Sequence, residues 1–260
     1  MTGPTRAAEN KRKDGHMNVS EFRQFLASRR STRDFLPTPV PPELIDAILT
    51  DAMTAPSWSN TRPYMVAVAT GEVRDRITTE LLRRWEVAAK AINGGWWAKI
   101  MFVLRGDALP SSDYHVYRPY PKDVLPRSQR IGRDLYTHIG VPRGDRKARD
   151  AQWARNFDLF GAPVALFIFT HKGLPTYSAS DAGLFMENLM LSAHAHGLGT
   201  CAEGALAIWS TPVKKEFDVP KNYKLLCGMA VGYASTAHVN EFRAERLPIS
   251  EITIPPRERD

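Results

Sequence analysis

Apolar residues form two kinds of run along this chain, and the two alternate. After Ser20, Phe22, Phe25 and Leu26 recur at i, i+3 and i+4, the spacing of one helix face, and the pattern ends near Arg29-Arg30. A second helical pattern opens at Pro42, a good first-turn residue, runs through Leu44, Ile45, Ile48, Leu49 and Ala52, and stops before Pro56. Between the two, Pro37, Pro39, Pro41 and Pro42 keep the chain extended or turned. Tyr64-Met65-Val66-Ala67-Val68-Ala69 reads as a strand closed by Thr70-Gly71, followed by a long helix from about 72 to 92. A helix over 146–159 precedes a strand at 164–170, whose unbroken apolar character predicts burial on both faces and a central place in a sheet. Ser180-Asp181 reads as the N-cap of a helix ending at Gly197; Leu184, Phe185, Met186, Leu189, Met190, Leu191 and Ala193 make it apolar nearly all round, so it belongs in a core or an interface. The last strand spans 225–233.

Three segments break this pattern. Residues 1–17 carry Lys11-Arg12-Lys13 and no apolar periodicity, which predicts a flexible tail ahead of a single domain over 18–260. Residues 105–145 are rich in Pro, Arg and Tyr (Tyr114, Tyr117, Tyr120), with one short helical stretch at 128–138; so long a loop in a compact domain is expected to be a lid or substrate loop. Residues 238–260 are polar and gain order only by docking elsewhere.

At 43% hydrophobic and 24% charged residues, the 260-residue chain can bury a sizeable core, which excludes general disorder, collagen and a disulfide scaffold. Its longest strongly apolar runs fall far short of the roughly 18 residues of a membrane span. The N-terminal stretch has no apolar run behind its charges, so no secretory signal is read there, and a cytoplasmic location is expected. Two cysteines, Cys201 and Cys227, are too few for a zinc site. His194 and His196 point to different sides of a helix and cannot share a metal, so no metal centre is expected. The net charge of +7 could serve nucleic acid, an acidic membrane or a phosphorylated ligand. Ten Lys/Arg against four Asp fall between 118 and 155, so most of the excess sits in the middle region.

Three segments are unusual as pure scaffold. Arg29-Arg30-Ser31-Thr32-Arg33 has the composition of an anion site, although arginines also complement a helix C-terminus in solvent. Ala55-Pro56-Ser57-Trp58-Ser59-Asn60-Thr61-Arg62-Pro63 surrounds one large aromatic with small donors, in what is otherwise turn chemistry. Cys201-Ala202-Glu203-Gly204-Ala205 follows Gly197-Leu198-Gly199, where backbone can approach a ligand or a helix can simply end. No GxGxxG or Walker loop and no Gly-x-Ser-x-Gly elbow is present.

Together and in this order, the segments resemble the nitroreductase family of FMN-dependent oxidoreductases. RRSTRDF is similar to its opening signature, APSWSNTRPY to its APSxxNxQPW loop, and FMENLMLSAHAHGLGTCAEG to its buried helix and following loop. GMAVGYA with NEFRAERLPISE resembles its last strand and C-terminal signature, and the 133–163 stretch resembles a nitrobenzoate-reductase-like branch. The resemblance implies an α+β three-layer sandwich, a mixed, mainly antiparallel sheet flanked by helices, in an intertwined homodimer, with 238–260 crossing between subunits. It implies that Arg29, Arg30, Ser31, Arg243 and Arg246 hold the FMN phosphate and ribityl chain. Arg33 would lie at the pyrimidine edge, where positive charge stabilises the reduced cofactor. Pro56, Ser57, Ser59, Asn60 and Arg62 would reach the flavin of the other subunit, Arg62 replacing the family's glutamine. The Glu203 backbone N–H, beside Gly204, would face flavin N5, and Trp58 and Tyr120 would line the substrate cavity. No side-chain acid or base is obligatory.

The implied activity is ping-pong hydride transfer from NADH or NADPH, through FMN, to a small-molecule acceptor such as a nitroaromatic or a quinone. The alternatives are another flavin reaction on this fold, such as reductive dehalogenation or dehydrogenation, or a flavin-binding protein without turnover. A nucleic-acid-binding or membrane role has no supporting motif beyond the charge.

Overall fold

The computed structural model describes residues 18–116 and 119–257; the expected tail over 1–17 and Tyr117 lie outside the described residues. The α-helices and strands are α1 (Val19–Ser28), α2 (Pro42–Ala52), β1 (Tyr64–Thr70), α3 (Gly71–Asn93), α4 (Trp96–Arg105), α5 (Leu125–His138), α6 (Arg146–Ala154), β2 (Val164–His171), α7 (Pro175–Ala195), β3 (Gly199–Glu203), α8 (Ser210–Glu216) and β4 (Tyr223–Gly232). The strands form one sheet in the order β1-β2-β4-β3, and every ladder is antiparallel. The parallel component expected of the sheet is limited to one isolated bridge outside the named strands, Ser31 to Thr200.

β2 is interior, as its apolar run predicts, and its side chains alternate between two cores. Ala165, Phe167 and Phe169 pack with Ile77 and Leu81 of α3, Phe157 and Trp209. Val164, Leu166 and Ile168 pack with Ile45 and Ile48 of α2 and with Phe185 and Leu189 of α7. The sheet is thus the middle of three layers. The β2–β4 register shifts between Ile168 and Phe169, so that Cys227 pairs with Ile168 and Leu225 with Phe169. The extra residue, Leu226, explains why Leu225 enters one core and Cys227 the other despite their even spacing.

Several boundaries differ from the sequence reading. α7 begins at Pro175, whose fixed φ suits the first helical turn, so Ser180-Asp181 is not its cap; Asp181 is a buried residue of the helix interior. Leu184 of α7 is exposed. α6 ends at Ala154, because Leu159 and Phe160 turn into the core through left-handed backbone, at φ 60° and 54°. α4 and α8 were not foreseen: α4 buries none of its residues fully, and α8 is short. β3 occupies what reads in sequence as a glycine-rich helix exit.

The 105–145 region is tied down at its start. Asp113 accepts from Lys214 Nζ at 2.6 Å and from the Leu225 N–H at 2.7 Å, and Tyr114 Oη lies 2.7 Å from Thr170 Oγ1. Its helix α5 starts three residues earlier than predicted and lies beside the C-terminal segment, through Arg127–Glu251 at 3.2 Å and Arg130–Glu245 at 3.5 Å. No helix among the described residues is long and apolar enough to cross a membrane.

Candidate functional site

The chain leaves α1 at Arg29 in extended conformation and runs along the outer edge of β3, where the Thr32 N–H donates to the Thr200 carbonyl at 2.9 Å. This approach requires glycine at 199, since a Cβ there would enter the buried Thr32 side chain. Arg29, Arg30, His194, Gly197, Gly199 and Thr200 line a cleft of about 190 Å³ at this edge. Arg29 has one acidic neighbour, Glu187 at 4.0 Å. Burial, and then the Arg243 guanidinium, pull the Arg30 pKa below its ordinary value. Arg243 Nη1 donates only to the carbonyls of Asn240, Glu241 and Phe242, at 2.9–3.2 Å. Among the described residues, no carboxylate lies within 4.0 Å of Arg30, Arg33 or Arg243. Burial, with Arg30 and Arg29 nearby, also holds the His194 imidazole below its usual range, and its Nε2 meets Ser28 Oγ at 2.6 Å. Arginines gathered at one cleft with little acidic compensation suit a multiply charged anion.

Arg33 is set by a buried amide. Its backbone N–H donates to Asn240 Oδ1 at 2.8 Å, while Asn240 Nδ2 donates to the carbonyls of Asp34 at 2.7 Å and Ser235 at 3.0 Å. Beyond it lies Glu203, 3% exposed, with no hydrogen-bond partner for either carboxylate oxygen. Burial first, and Asp158 second, raise its pKa well above the ordinary carboxyl range against the opposing pull of Arg33. Asp158 is itself raised, chiefly by burial. The Cys201 and Cys227 thiols are pushed up to about 12, mainly by burial, and are inert.

The β3 backbone is polarised by the same edge. Thr200 turns its carbonyl outward to Thr32, so the alternation of an antiparallel ladder turns Ala202 outward as well and aims the N–H groups of Cys201 and Glu203 at β4. The Glu203 N–H, expected at flavin N5, therefore points into the sheet, and the exposed Gly204 follows at the start of a 3₁₀ turn.

The Trp58 loop is strained. Ser59, Asn60 and Arg62 have φ of 49°, 57° and 44°, left-handed values that cost non-glycine residues roughly 1–3 kcal/mol each. Three contacts hold it: the Trp58 N–H donates to Asp181 Oδ2 at 3.0 Å, the Arg62 N–H donates to Ser57 Oγ at 3.0 Å, and the Trp58 ring stacks on Tyr177 with centroids 4.3 Å apart. Trp58 remains 55% exposed, and Pro56, Ser59 and Asn60 are exposed too. None of these loop residues lines the Arg30 cleft. Tyr120 and Arg246 lie apart from both, in a cleft of about 460 Å³ with Arg127, Ser128, Arg130 and Glu245.

The fold agrees with what comparison finds. The chain matches the nitroreductase family over residues 26–233. It belongs to the nitroreductase family. A 4-nitrobenzoate reductase of Pseudomonas putida is 32% identical over 88% of this chain and 92% of its own length. Two solved structures are similar: the FMN- and NADPH-dependent nitroreductase NfnB from Sphigopyxis sp. strain HMH has a TM-score of 0.78 at 27% identity over 91% of this chain and 99% of its own. The FMN-dependent NfnB from Mycobacterium smegmatis, in complex with NADPH, has a TM-score of 0.76 at 29% identity over 92% of this chain and all of its own. In this nitroreductase the family match holds the Arg29–Arg33 segment, the Trp58 loop and β3, and ends before Arg243 and Arg246.

Sequence reasoning missed the residues that hold this nitroreductase's site in place. Asp181 was visible only as a cap, and Asn240 only as a polar residue of the C-terminal signature. Asp158, Tyr177 and His194 acquire meaning only from side chains distant in sequence.

Proposed function

We propose that this nitroreductase uses NADH or NADPH and FMN to reduce nitroaromatic or quinone-like acceptors in a ping-pong cycle. The observation that carries the reading is the cleft beside β3 lined by Arg29 and Arg30, with no carboxylate within 4.0 Å of Arg30 among the described residues, which suits a flavin phosphate. The names of its relatives, a 4-nitrobenzoate reductase and an NADPH-bound NfnB, support the same chemistry.

Bound FMN supplies the reversible hydride carrier that no side chain here can provide. Arg29, Arg30, Ser31 and Arg243 hold its phosphate and ribityl chain, with Arg246 brought in by the C-terminal segment. Arg33 sets positive charge at the pyrimidine edge. The Gly204 N–H is the donor for N5 in place of that of Glu203, which points to β4, and Glu203 fixes the strand behind it. Pro56, Ser57, Ser59, Asn60 and Arg62 serve the flavin of a second copy, and Trp58 and Tyr120 border the acceptor. The exposed Trp96, Trp97, Val103 and Leu104 of α4 support a homodimer, since a monomer rarely leaves so much apolar surface open. One hydride from NAD(P)H and one proton from solvent convert a nitro group to nitroso and release water. The two free cysteines fit a reducing, cytoplasmic setting.

Initial rates with NADPH or NADH against a nitroaromatic test the proposal. Ping-pong transfer requires parallel double-reciprocal lines and an absolute need for FMN; intersecting lines, or turnover without FMN, count against it.

A further inference from the structure

At the C-terminal end of α5, three side chains unused by the proposed cycle converge. His138, His238 and Glu241 each place one metal-binding atom within 4.8 Å of the other two. The two imidazoles stack, with centroids 4.0 Å apart and planes 18° from parallel. His138 Nε2 lies 2.8 Å from the His238 carbonyl oxygen, and His238 Nδ1 lies 2.6 Å from Glu241 Oε2. A carbonyl only accepts, so His138 Nε2 carries the proton and Nδ1 of the neutral ring keeps a free lone pair. His238 Nδ1 and Glu241 Oε2 are already neighbours, so one ion can take the place of the proton between them and bind both. A carbonyl on the other ring nitrogen, as at His138 Nε2, is a partner that orients an imidazole toward a metal.

We propose that His138, His238 and Glu241 form a site for a divalent transition-metal ion of the Zn²⁺ type, completed by water. Imidazole with one carboxylate selects zinc, nickel or copper over magnesium and calcium. Metal–ligand lengths of about 2.0–2.2 Å put ligand atoms roughly 3.3 Å apart, so the His238–Glu241 contact opens slightly while that pair closes on His138. His238 and Glu241, with side chains 64% and 67% exposed, have room to close. They are three residues apart on one 3₁₀ turn, where i and i+3 eclipse, so the backbone already aligns them.

The position gives the ion a consequence. Asn240, which fixes the Arg33 backbone, lies on that same turn, while His138 belongs to α5. A bound metal therefore fastens α5 to the turn that positions Arg33. The site stands independently of the proposed reductase activity, since it needs neither flavin nor acceptor.

Calorimetric titration of the tag-free protein, stripped by chelator and desalted, with Zn²⁺ tests the site, with Mg²⁺ as control. The wild type is expected to bind one Zn²⁺ per chain and to melt higher with Zn²⁺; Mg²⁺ is expected to do neither. His138→Ala and His238→Ala should each weaken binding by about tenfold or more, and Glu241→Gln, which leaves both rings, should weaken it less. Absence of saturable Zn²⁺ binding in the wild type, or equal binding in the folded double histidine variant, overturns the proposal.

Discussion

The carboxylate of Asp181, buried within α7, accepts the backbone N–H of Trp58 at 3.0 Å. This one bond joins the helix that packs against the sheet to a loop with three left-handed, non-glycine residues. Asp181→Asn keeps an acceptor oxygen in place, whereas Asp181→Leu leaves the N–H unsatisfied. The leucine variant should lose about 1–3 kcal/mol of stability and exchange the amides of residues 57–62 faster, with the asparagine variant close to wild type. Hydrogen exchange followed by mass spectrometry checks both.

The Arg30–Arg243 pair predicts different effects with and without an anion. Each guanidinium is expected to give FMN a charge-assisted bond of about 1.5–3 kcal/mol, so Arg243→Ala should weaken FMN binding by roughly ten- to a hundredfold. In flavin-free protein the same change removes a like-charge neighbour of Arg30 together with three largely exposed carbonyl hydrogen bonds, so stability should change little. Flavin fluorescence quenching and melting curves, with and without inorganic phosphate, separate the two effects.

Glu203 predicts a pH dependence with a definite sign. Its carboxyl titrates from an ordinary value of 4.5 in the unfolded chain and well above that when folded. Between those values the unfolded chain has released a proton that the folded chain retains, so stability falls as pH rises, by up to about 1.4 kcal/mol per pH unit. Glu203→Gln cannot ionise. The variant should gain stability relative to wild type as pH rises from about 4.5 and lose that advantage below it. Urea unfolding at pH 4, 6 and 8 measures the difference; a constant offset would show that the carboxyl does not titrate in this way.

Gly199→Ala should be disproportionately harmful for one methyl group, because the new Cβ enters the buried Thr32 side chain. Overpacking of this kind costs about 1–3 kcal/mol. Thr32→Ala in the same chain should recover part of the loss, and a double-mutant cycle reads the coupling.

The sequence made the core elements readable because their burial is periodic. β2 is apolar on both faces and lies inside the sheet, and α2 carries its apolar stripe into the core at Ile45 and Ile48. Where burial depends on a single partner, the pattern carries no signal. Asp181 has the composition of a cap and instead holds a loop, and Leu159 with Phe160 continues a helical pattern although both turn into the core through left-handed backbone. The arginines of the site were legible as a cluster after α1. The approach of Arg243 to Arg30, and the pairing of His138 with His238, depend on tertiary structure that no local spacing encodes.

In the proposed cycle this chain holds FMN and passes hydride from a nicotinamide to an acceptor. Anaerobic stopped-flow mixing of the flavin-loaded protein with NADPH or NADH, followed by a second mix with a nitroaromatic such as 4-nitrobenzoate, tests it most directly. The flavin absorbance should bleach in the first step and return in the second. A protein that binds no FMN, or whose flavin neither nicotinamide reduces, contradicts the account.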